Sequence, residues 1–519
     1  DAAKRARQGA DNAVHVKAER ERRKPYRICG AEKLMFTAEP LSCCDISRCN
    51  TVSRLYREYV RNESLRKTKG VSNMKRTSRV LAILLALAML LSVTAFATWN
   101  VYGGNDNHNA KVDNAPTTKN SETAVSLTGG SGWDGVDNVP VMQTVEEDGE
   151  DITYAYVLFD GRGTNGAQVI KYDCTYGEEV WRTTAYGNEG TSLNAKSGFQ
   201  LSTPYLDEDA GILYVGVISQ YDDYTGGEWL TGTGSKILAI SNLGAELPTV
   251  TNVVTGINGQ INTPIVKYGN YLYFGTWTGS AGGTYYQIDV SNTEYATKTY
   301  DYASGFYWAG AVKVGNYIYF GSDNGVLHYR SIADFKNTGS TVTLPATNGT
   351  AAGNVRSTIM ADGTDLYFTS QGGFLWCYSQ GENGVPSYKW NVALGATSTS
   401  TPTKVGNRIY VGAYSGFNKG GVLCVNASTH AVTPVVAIAN ANNFPVQCSI
   451  VVMGNGSGTD YVYFNTNSSV GCGYCYSFDG STGTQIWKTT ADTYALGGMA
   501  CDNGILVFGN DHNNLYIVK

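Results

Sequence analysis

Histidine, cysteine and acidic side chains are the residues to consider first for catalysis or metal binding, and their spacing in this chain favours neither. The histidines beyond residue 97 are far apart in the sequence, at positions 108, 328, 430 and 512. No H-E-x-x-H, G-x-S-x-G or P-loop motif occurs in the same region, so the short signatures of zinc proteases, serine hydrolases and P-loop proteins are missing. We therefore predict no catalytic residue and no metal site.

Two other patterns resemble metal sites but are better explained as structure. Residues 471–475 (GCGYC) contain one C-x-x-C pair without the second pair that a zinc site of this kind needs. Cys377, Cys424 and Cys475 lie in apolar strand patterns, where a thiol acts as a small hydrophobic group. The acidic runs 207–209 and 222–223 lack the spacing of an EF-hand, and we interpret them as solvated turns rather than calcium sites.

Aromatic residues in long connections offer a different chemistry, that of ligand binding. Variable loops on a rigid scaffold commonly carry binding sites, and aromatic platforms with polar neighbours suit sugars and peptides. The alternative is that each aromatic side chain only packs between structural units. The candidate binding residues are Phe199, Gln200, Trp229, Trp277, Phe306, Tyr307, Trp308, Arg356, Tyr414, Phe417 and Tyr494.

These connections join repeated units of short β-strands. A hairpin recurs at 263–275, 311–321 and 401–412, each time with a Gly-Asn turn before the second strand. Eight such second strands follow one another at a mean spacing of about 50 residues, in the range of propeller blades. We name the strands of a blade A to D from the axis outward. The sequence predicts an all-β, eight-bladed β-propeller of four-stranded antiparallel blades over residues 98–519.

The two faces of such a propeller differ in their connections. The D-to-A and B-to-C connections share one face, and here they are long and carry the candidate binding residues. The A-to-B turns lie on the other face and are short and repetitive, as economical turns should be. We therefore predict that the binding face is the one formed by the D-to-A and B-to-C connections.

Tryptophan marks the outermost strand where that strand can be recognised. Residues 477–488 form a predicted strand C, a polar turn and a strand D that carries Trp487, and Trp181 and Trp390 occupy the same place in other units. The last unit stops after strand C, whereas Trp99 lies in a strand-like segment. We predict that residues 98–104 pair with the C-terminal blade and close the ring, which hides exposed sheet edges. All four tryptophans are assigned structural roles.

The first 97 residues differ from the rest. Residues 1–73 are basic and lack a sustained pattern, and residues 74–97 combine a positive flank, an apolar run and an A-F-A cleavage site. These are the features of a secretory signal peptide, and the apolar run is shorter than the about 20 residues of a membrane-spanning helix. We expect residues 1–73 to be a non-native or disordered extension from a misassigned start. We expect the protein to be secreted or at the cell surface, and not a lipoprotein, because no cysteine follows the cleavage site.

Charge narrows the choice of partner. Beyond residue 97 the chain holds 19 Lys and Arg against 35 Asp and Glu, a net charge of −16. Such a surface repels nucleic acids and anionic membranes. We expect a monomer that binds a glycan, a peptide or a cell-envelope protein. Export permits disulfides without requiring them.

The repeated units resemble those of the PQQ-like β-propellers, the superfamily of quinoprotein alcohol dehydrogenases. The resemblance rests on the D-x-x-T-G-x-x-x-W run at 479–487, on the A–B hairpins, and on the W-x-x-Y-x-G-x-x-x-H run at 99–108. A kelch-type propeller has a similar period, but the placement of Asp, Thr-Gly and Trp favours the PQQ-like form.

The resemblance implies an activity only where the family's site residues are present. Its enzymes are implied to use PQQ with Ca²⁺, a catalytic Asp, a Trp under the cofactor and a ring of adjacent cysteines. The adjacent cysteines here are Cys43 and Cys44, ahead of the predicted signal peptide. Trp308 would lie near the axis, but the ligands of the cofactor and of calcium do not match residue by residue.

The chain therefore looks more like the non-catalytic branch of that superfamily, which includes the outer-membrane-protein assembly scaffold. That scaffold is a lipoprotein, and this chain is not expected to be one. We predict an exported, non-enzymatic binding propeller without a cofactor. The alternative is a dehydrogenase that depends on PQQ and Ca²⁺.

Overall fold

A computed structural model describes residues 98–127, 135–161, 166–184, 200–218, 233–279, 282–416, 419–438 and 444–519. In these ranges the chain forms eight four-stranded antiparallel blades, with short 3-10 turns at Tyr102–Gly104 and Glu382–Gly384. The predicted all-β, eight-bladed propeller is confirmed. The extension and signal peptide expected at 1–97 lie outside the described residues. Within the described ranges, no helix is long and apolar enough to cross a membrane.

The blades follow one another along the chain, and each is written here from strand A to strand D. Blade 1 is β3 (Val141–Glu147), β4 (Glu150–Gly161), β5 (Gly166–Asp173) and β6 (Glu178–Arg182). Blade 2 is β7 (Tyr205–Asp207), β8 (Ile212–Val217), β9 (Thr233–Ser241) and β10 (Thr249–Asn258). Blade 3 is β12 (Val266–Tyr268), β13 (Tyr271–Trp277), β14 (Gly283–Asp289) and β15 (Thr297–Tyr302), and blade 4 is β16 (Val312–Val314), β17 (Tyr317–Ser322), β18 (Val326–Ser331) and β19 (Gly339–Thr343). Blade 5 is β20 (Met360–Asp362), β21 (Asp365–Ser370), β22 (Phe374–Gln380) and β23 (Pro386–Ala393); blade 6 is β24 (Thr403–Val405), β25 (Arg408–Ser415), β26 (Lys419–Asn426) and β27 (Val432–Val436); blade 7 is β28 (Val451–Met453), β29 (Asp460–Asn465), β30 (Gly473–Phe478) and β31 (Gly483–Lys488); blade 8 is β32 (Ala500–Asp502), β33 (Ile505–Gly509), β34 (Asn514–Val518) and β2 (Glu122–Ser126). Two short strands, β1 (Lys111–Val112) and β11 (Gln260–Ile261), extend blades 7 and 3.

The hydrophobic core lies between the blades, because each sheet packs against a neighbour on both faces. The B strands are therefore buried almost throughout, as in β17, whereas the D strands are mostly exposed, as in β19. This explains why the B strands are apolar on both faces and were the easiest elements to recognise in the sequence. The tryptophans of the D strands join consecutive blades: the Trp181 indole N–H donates to the Leu243 carbonyl at 3.1 Å, and Trp390 lies 4.5 Å from the His430 ring.

Ring closure uses a different N-terminal segment from the one predicted. The strand that completes blade 8 is β2, which pairs antiparallel with β34 from Glu122 opposite Val518 to Ser126 opposite Asn514. The prediction that residues 98–104 form this strand was wrong. An outermost strand is largely exposed, and β2 is, whereas Trp99 is only 2% exposed. Gly103 and Gly104, both with φ near +75°, also turn the chain before a strand of that length could form.

Residues 99–114, which we call the axial segment, instead follow the inner edges of the A strands. Trp99 exchanges backbone hydrogen bonds with Met142 of blade 1, at 3.1 and 2.8 Å. The segment then contacts the other blades in nearly the order in which they follow along the chain. These contacts are Asn100 O with Leu206 N, Asp106 O with Tyr268 Oη, His108 Nε2 with Ala311 O, Asn107 O with Ala361 N, Asn109 with Lys404, Ala110 O with Val452 N, and Asn114 O with Cys501 Sγ. All eight blades are thus tied to one stretch of chain.

Two histidines buried inside this framework have lowered pKa values. His108 is buried in the axial segment, and His328 of β18 stacks on Phe320 with ring centroids 5.1 Å apart. Burial lowers the pKa of both imidazoles, and for His328 the nearby Arg330 charge adds to this effect, giving a pKa of about 3. In the unfolded chain both side chains take up a proton as the pH falls through about 6.5, whereas in the folded protein they do so only at lower pH.

The unfolded state therefore binds more protons below pH 6.5, and we expect the free energy of unfolding to fall as the pH is lowered from 6.5 toward 4. Replacing His328 with Gln should remove up to about 1.4 kcal/mol per pH unit of this fall. Urea unfolding of the wild type and of His328→Gln at several pH values measures how steeply the free energy of unfolding of each protein changes with pH. Equal slopes would show that His328 is not kept neutral.

Candidate functional site

A pocket opens on the propeller axis, on the face formed by the D-to-A connections. Each of the eight connections contributes to its wall, and Tyr102 of the axial segment also lines it. The pocket encloses roughly 420 Å³, which includes the space at its open mouth. The wall residues that represent the eight connections are Asp137, Leu201, Pro264, Trp308, Arg356, Thr399, Gln447 and Leu496.

The repeat explains how these residues come together. In seven of the eight blades, the residue four positions before the first residue of strand A lines the pocket. Blade 3 is the exception, because there Pro264 lines the pocket two positions before β12. Since every A strand lies beside the axis, one position of the repeat is brought to the same place seven times, and a nearby position is brought there in blade 3.

Trp308 has an unusual backbone conformation within this wall. Its φ is +56°, in the left-handed region that residues with a side chain adopt at a cost of about 1–2 kcal/mol. The conformation is held by the Trp308 carbonyl, which accepts hydrogen bonds from the Gly310 N–H at 2.8 Å and the Thr358 hydroxyl at 3.1 Å. Backbone strain of this kind is concentrated at functional sites, so the Trp308 indole is a candidate ligand contact.

An aromatic cluster with one ion pair adjoins the pocket. The Tyr307 ring lies between Trp277 and Trp308, with centroids 5.3 and 4.9 Å away. The guanidinium of Arg356 lies 4.4 Å from the centroid of Tyr307, a cation–π distance. Four of the predicted binding residues are thus in one contiguous group.

Asp323 anchors this cluster. Both carboxylate oxygens accept hydrogen bonds from Arg356, at 2.8 and 2.5 Å, and Oδ2 also accepts from the Trp277 indole at 3.1 Å. Burial opposes the charge of Arg356, but the hydrogen bonds and charge of Asp323 outweigh it, so the pKa of the guanidinium is raised. Burial raises the pKa of Tyr307 to about 12, although Arg356 opposes this. Tyr307 therefore remains a neutral phenol.

The Asn138 carboxamide also lines the pocket, and Gln200 contacts it from the next D-to-A connection. Gln200 is buried and makes paired hydrogen bonds with the backbone of Ile218, at 3.0 and 2.9 Å. The Asn138 amide group donates both of its hydrogens, to the carbonyls of Leu158 at 2.7 Å and Gln200 at 2.9 Å. This fixes the orientation of the Asn138 side chain, and its Oδ1 is buried without a hydrogen-bond partner among the described residues. Gln200 thus positions Asn138.

The remaining predicted binding residues are distributed differently. Phe306 is fully buried and packs against Tyr285 and Phe320, at centroid distances of 5.1 and 5.5 Å, so it belongs to the core. The Tyr414 hydroxyl accepts a hydrogen bond from Gln371 at 3.4 Å, and the Tyr494 carbonyl accepts one from the Asp511 N–H at 3.0 Å. Phe199, Trp229 and Phe417 lie outside the described residues.

Sequence reasoning missed several residues of this site, among them Tyr102, Asn138, Asp323 and Gln447. Asn138 precedes the most degenerate of the hairpin repeats, so the connection that holds it was not located. The signal that would have found Gln447 is its position in the repeat, four residues before strand A. Tyr102 is part of the W-x-x-Y-x-G-x-x-x-H run at 99–108, but that run does not mark it as a pocket residue, because the axial segment belongs to no repeat.

A quinone–calcium centre does not fit the described residues by themselves. Among them, no group of three or more His, Cys, Asp or Glu side chains is arranged to hold a metal ion. Asp137 is the one carboxylate in the described lining of the pocket, whereas calcium takes about 6–8 oxygen ligands. The seven cysteines in the described ranges are all buried free thiols, and no two of them are adjacent in sequence.

Comparison with solved structures finds propellers of low sequence identity. The quinohemoprotein alcohol dehydrogenase from Comamonas testosteroni matches with a TM-score of 0.52 at 10% identity, over 81% of this chain and 80% of that chain. A europium-containing methanol dehydrogenase matches with a TM-score of 0.51 at 10% identity, over 79% of this chain and 89% of that chain. BamB from Moraxella catarrhalis matches with a TM-score of 0.49 at 14% identity, over 78% of this chain and 99% of that chain.

At these identities the likeness concerns the fold alone. The chain is an eight-bladed β-propeller similar in architecture to those of the quinoprotein dehydrogenases. No protein-family model and no curated protein matches its sequence.

The Asp323–Arg356 pair gives a testable measure of how tightly the cluster is held. Replacing Asp323 with Asn leaves a partly buried guanidinium without its counter-ion, which should lower the free energy of unfolding by about 2 kcal/mol, somewhat less than for a fully buried pair. The matched control is Asp365→Asn, which breaks the more exposed pair with Lys389 and should cost less than about 1 kcal/mol. Urea unfolding measures both, and similar losses would contradict the analysis.

Proposed function

We propose that this protein is an exported, non-enzymatic binding propeller that holds a glycan or peptide ligand, free or as part of a protein partner, in its axial pocket. The observation that carries the proposal is the pocket itself, which all eight D-to-A connections line. A rigid scaffold that converges variable connections on one point is a common architecture for a binding site. The strained Trp308 and the aromatic cluster beside it supply the apolar part of such a site.

The titratable groups in the wall support binding rather than catalysis. Burial raises the pKa of the Cys448 thiol to about 11, so the reactive thiolate is scarce near neutral pH. Burial also raises the pKa of Tyr102 to about 12, against hydrogen bonds that lower it. A general base works best with a pKa near the operating pH, and these shifts go the other way.

A dehydrogenase that depends on PQQ and Ca²⁺ is the second candidate. The observation that favours it is the likeness in fold to a quinohemoprotein alcohol dehydrogenase and a methanol dehydrogenase. In this reading Trp308 would provide an aromatic surface for the cofactor. The small number of carboxylates among the described pocket residues weighs against it.

The two candidates predict different results for the full chain. Screening against glycan and peptide arrays should yield a ligand that binds the wild type and binds Trp308→Ala at least ten-fold more weakly. The control is Tyr388→Ala, which removes an exposed aromatic on the outer strand β23 and should leave binding unchanged. Titration with PQQ and Ca²⁺, followed by dye-linked alcohol oxidation, tests the dehydrogenase. Alcohol oxidation with tight quinone binding would overturn the proposal.

Export is tested separately. Expression from the complete reading frame should release the protein into the extracytoplasmic fraction, and its N terminus should begin near Thr98. Sequencing of the purified protein measures this. Recovery of an intact chain with residues before position 74 would contradict both the signal peptide and the misassigned start.

A further inference from the structure

We infer that the ligand of the axial pocket is a neutral sugar unit whose hydroxyl groups donate to Asn138 and whose apolar face packs on Trp308. The inference rests on the proposed function, since it specifies the ligand class of the same pocket. Four features of the described wall lead to it, and each excludes a different kind of ligand.

The first feature is the acceptor at Asn138. Its amide hydrogens are both used on backbone carbonyls, at 2.7 and 2.9 Å, so the side chain cannot turn over. The oxygen is buried at a pocket-lining residue and has no hydrogen-bond partner in the described part of the chain. A buried polar atom without a hydrogen-bond partner destabilises the folded protein. A ligand that donates a hydrogen bond here recovers that loss.

The second feature is a donor at Gln447. Its Oε1 accepts a hydrogen bond from the Asn467 amide at 2.6 Å, which leaves Nε2 as the end available to a ligand. An ammonium group cannot accept a hydrogen bond, so it would satisfy Asn138 but not Gln447. A hydroxyl group both donates and accepts, and a sugar ring carries several of them.

The third feature is the balance of charge. Arg356 is the cation in the described lining, and its charge is matched by Asp323 at 2.5 Å. An anionic ligand would therefore meet no unmatched positive charge among the described wall residues. Besides the Asp137 carboxylate, the wall offers neutral polar side chains, among them Asn138, Thr399 and Gln447.

The fourth feature is the shape of the pocket. The half-buried indole of Trp308 gives the wall one flat apolar surface, beside hydrogen-bonding groups on other connections. The C–H face of a pyranose ring is also flat and apolar, while its rim is polar. The axial segment contacts the A strands all round the ring, and Tyr102 lines the pocket with its hydroxyl donating to Thr401 at 3.0 Å. The ligand therefore approaches from the D-to-A face, as a single unit or a chain end.

Three probes that share one ring but differ in charge test this inference: N-acetylglucosamine is neutral, glucosamine is cationic and glucuronic acid is anionic. Methyl glycosides of the common neutral hexoses extend the neutral set. Binding to the full chain is measured by saturation-transfer NMR, which does not depend on tryptophan fluorescence. The variants are Trp308→Ala and Gln447→Leu, with Tyr388→Ala as the control. Asn138 is left intact, because it also holds two backbone carbonyls.

We expect at least one neutral probe to bind the wild type and Tyr388→Ala equally, and to bind each pocket variant at least ten-fold more weakly. Binding of only the cationic or only the anionic probe, with the same dependence on Trp308, would overturn the inference but leave the proposed function standing. The same holds if no sugar binds while an array peptide binds through Trp308. If no probe or array ligand depends on Trp308, both the inference and the proposed function fail.

Discussion

Hydrogen bonding between the axial segment and the inner strands is the interaction on which the rest of this structure depends. An A strand has one neighbour inside its own blade, so its other edge presents unpaired backbone groups toward the axis, and such groups are costly unless they find partners. Residues 99–114 supply partners to backbone groups in or beside the A strands of six blades, and they accept hydrogen bonds from the Tyr268 hydroxyl of blade 3 and the Cys501 thiol of blade 8. In blade 7, β1 pairs directly with β28. The same stretch leads into β2, which completes blade 8. One continuous segment therefore serves both the inside of the ring and its closure.

This arrangement also shapes the site. Because the axial segment occupies the region beside the A strands, the pocket is confined to the face of the D-to-A connections, where Tyr102 meets the wall. Eight connections of different sequence then converge on the pocket, seven of them through the same repeat position. A rigid ring with a variable wall can present a hydrogen-bond acceptor, a donor and an aromatic surface from three different blades. These groups lie far apart in the sequence, and the fold alone brings them together in the pocket.

Burial gives the described pocket its chemical character. The thiol of Cys448 and the phenols of Tyr102 and Tyr307 are kept protonated, because burial raises each pKa. The cation of Arg356 is neutralised by Asp323. The wall also holds the Asp137 carboxylate, while Asn138, Thr399 and Gln447 provide neutral hydrogen-bonding groups beside the indole of Trp308. The fold, which this chain shares with dehydrogenases, does not decide between ligand binding and catalysis.

The sequence by itself determined the repeat, the number of blades and the order of strands A to D, because buried B strands are apolar on both faces and their spacing is regular. Only the tertiary structure decided which N-terminal segment closes the ring, since pairing with β34 depends on where the axis carries the chain after Gly104. The consecutive residues Phe306, Tyr307 and Trp308 show the same division. Their aromatic character predicted a binding site for all three. In the structure Phe306 lies in the core, whereas Tyr307 and Trp308 belong to the aromatic cluster beside the pocket. The backbone is left-handed at Trp308, where the chain turns from the core toward the pocket. Asn138 was out of reach of the sequence, because the hairpin that follows it is degenerate and its neighbours in the pocket come from other blades, whereas Gln447 could have been found from its position in the repeat.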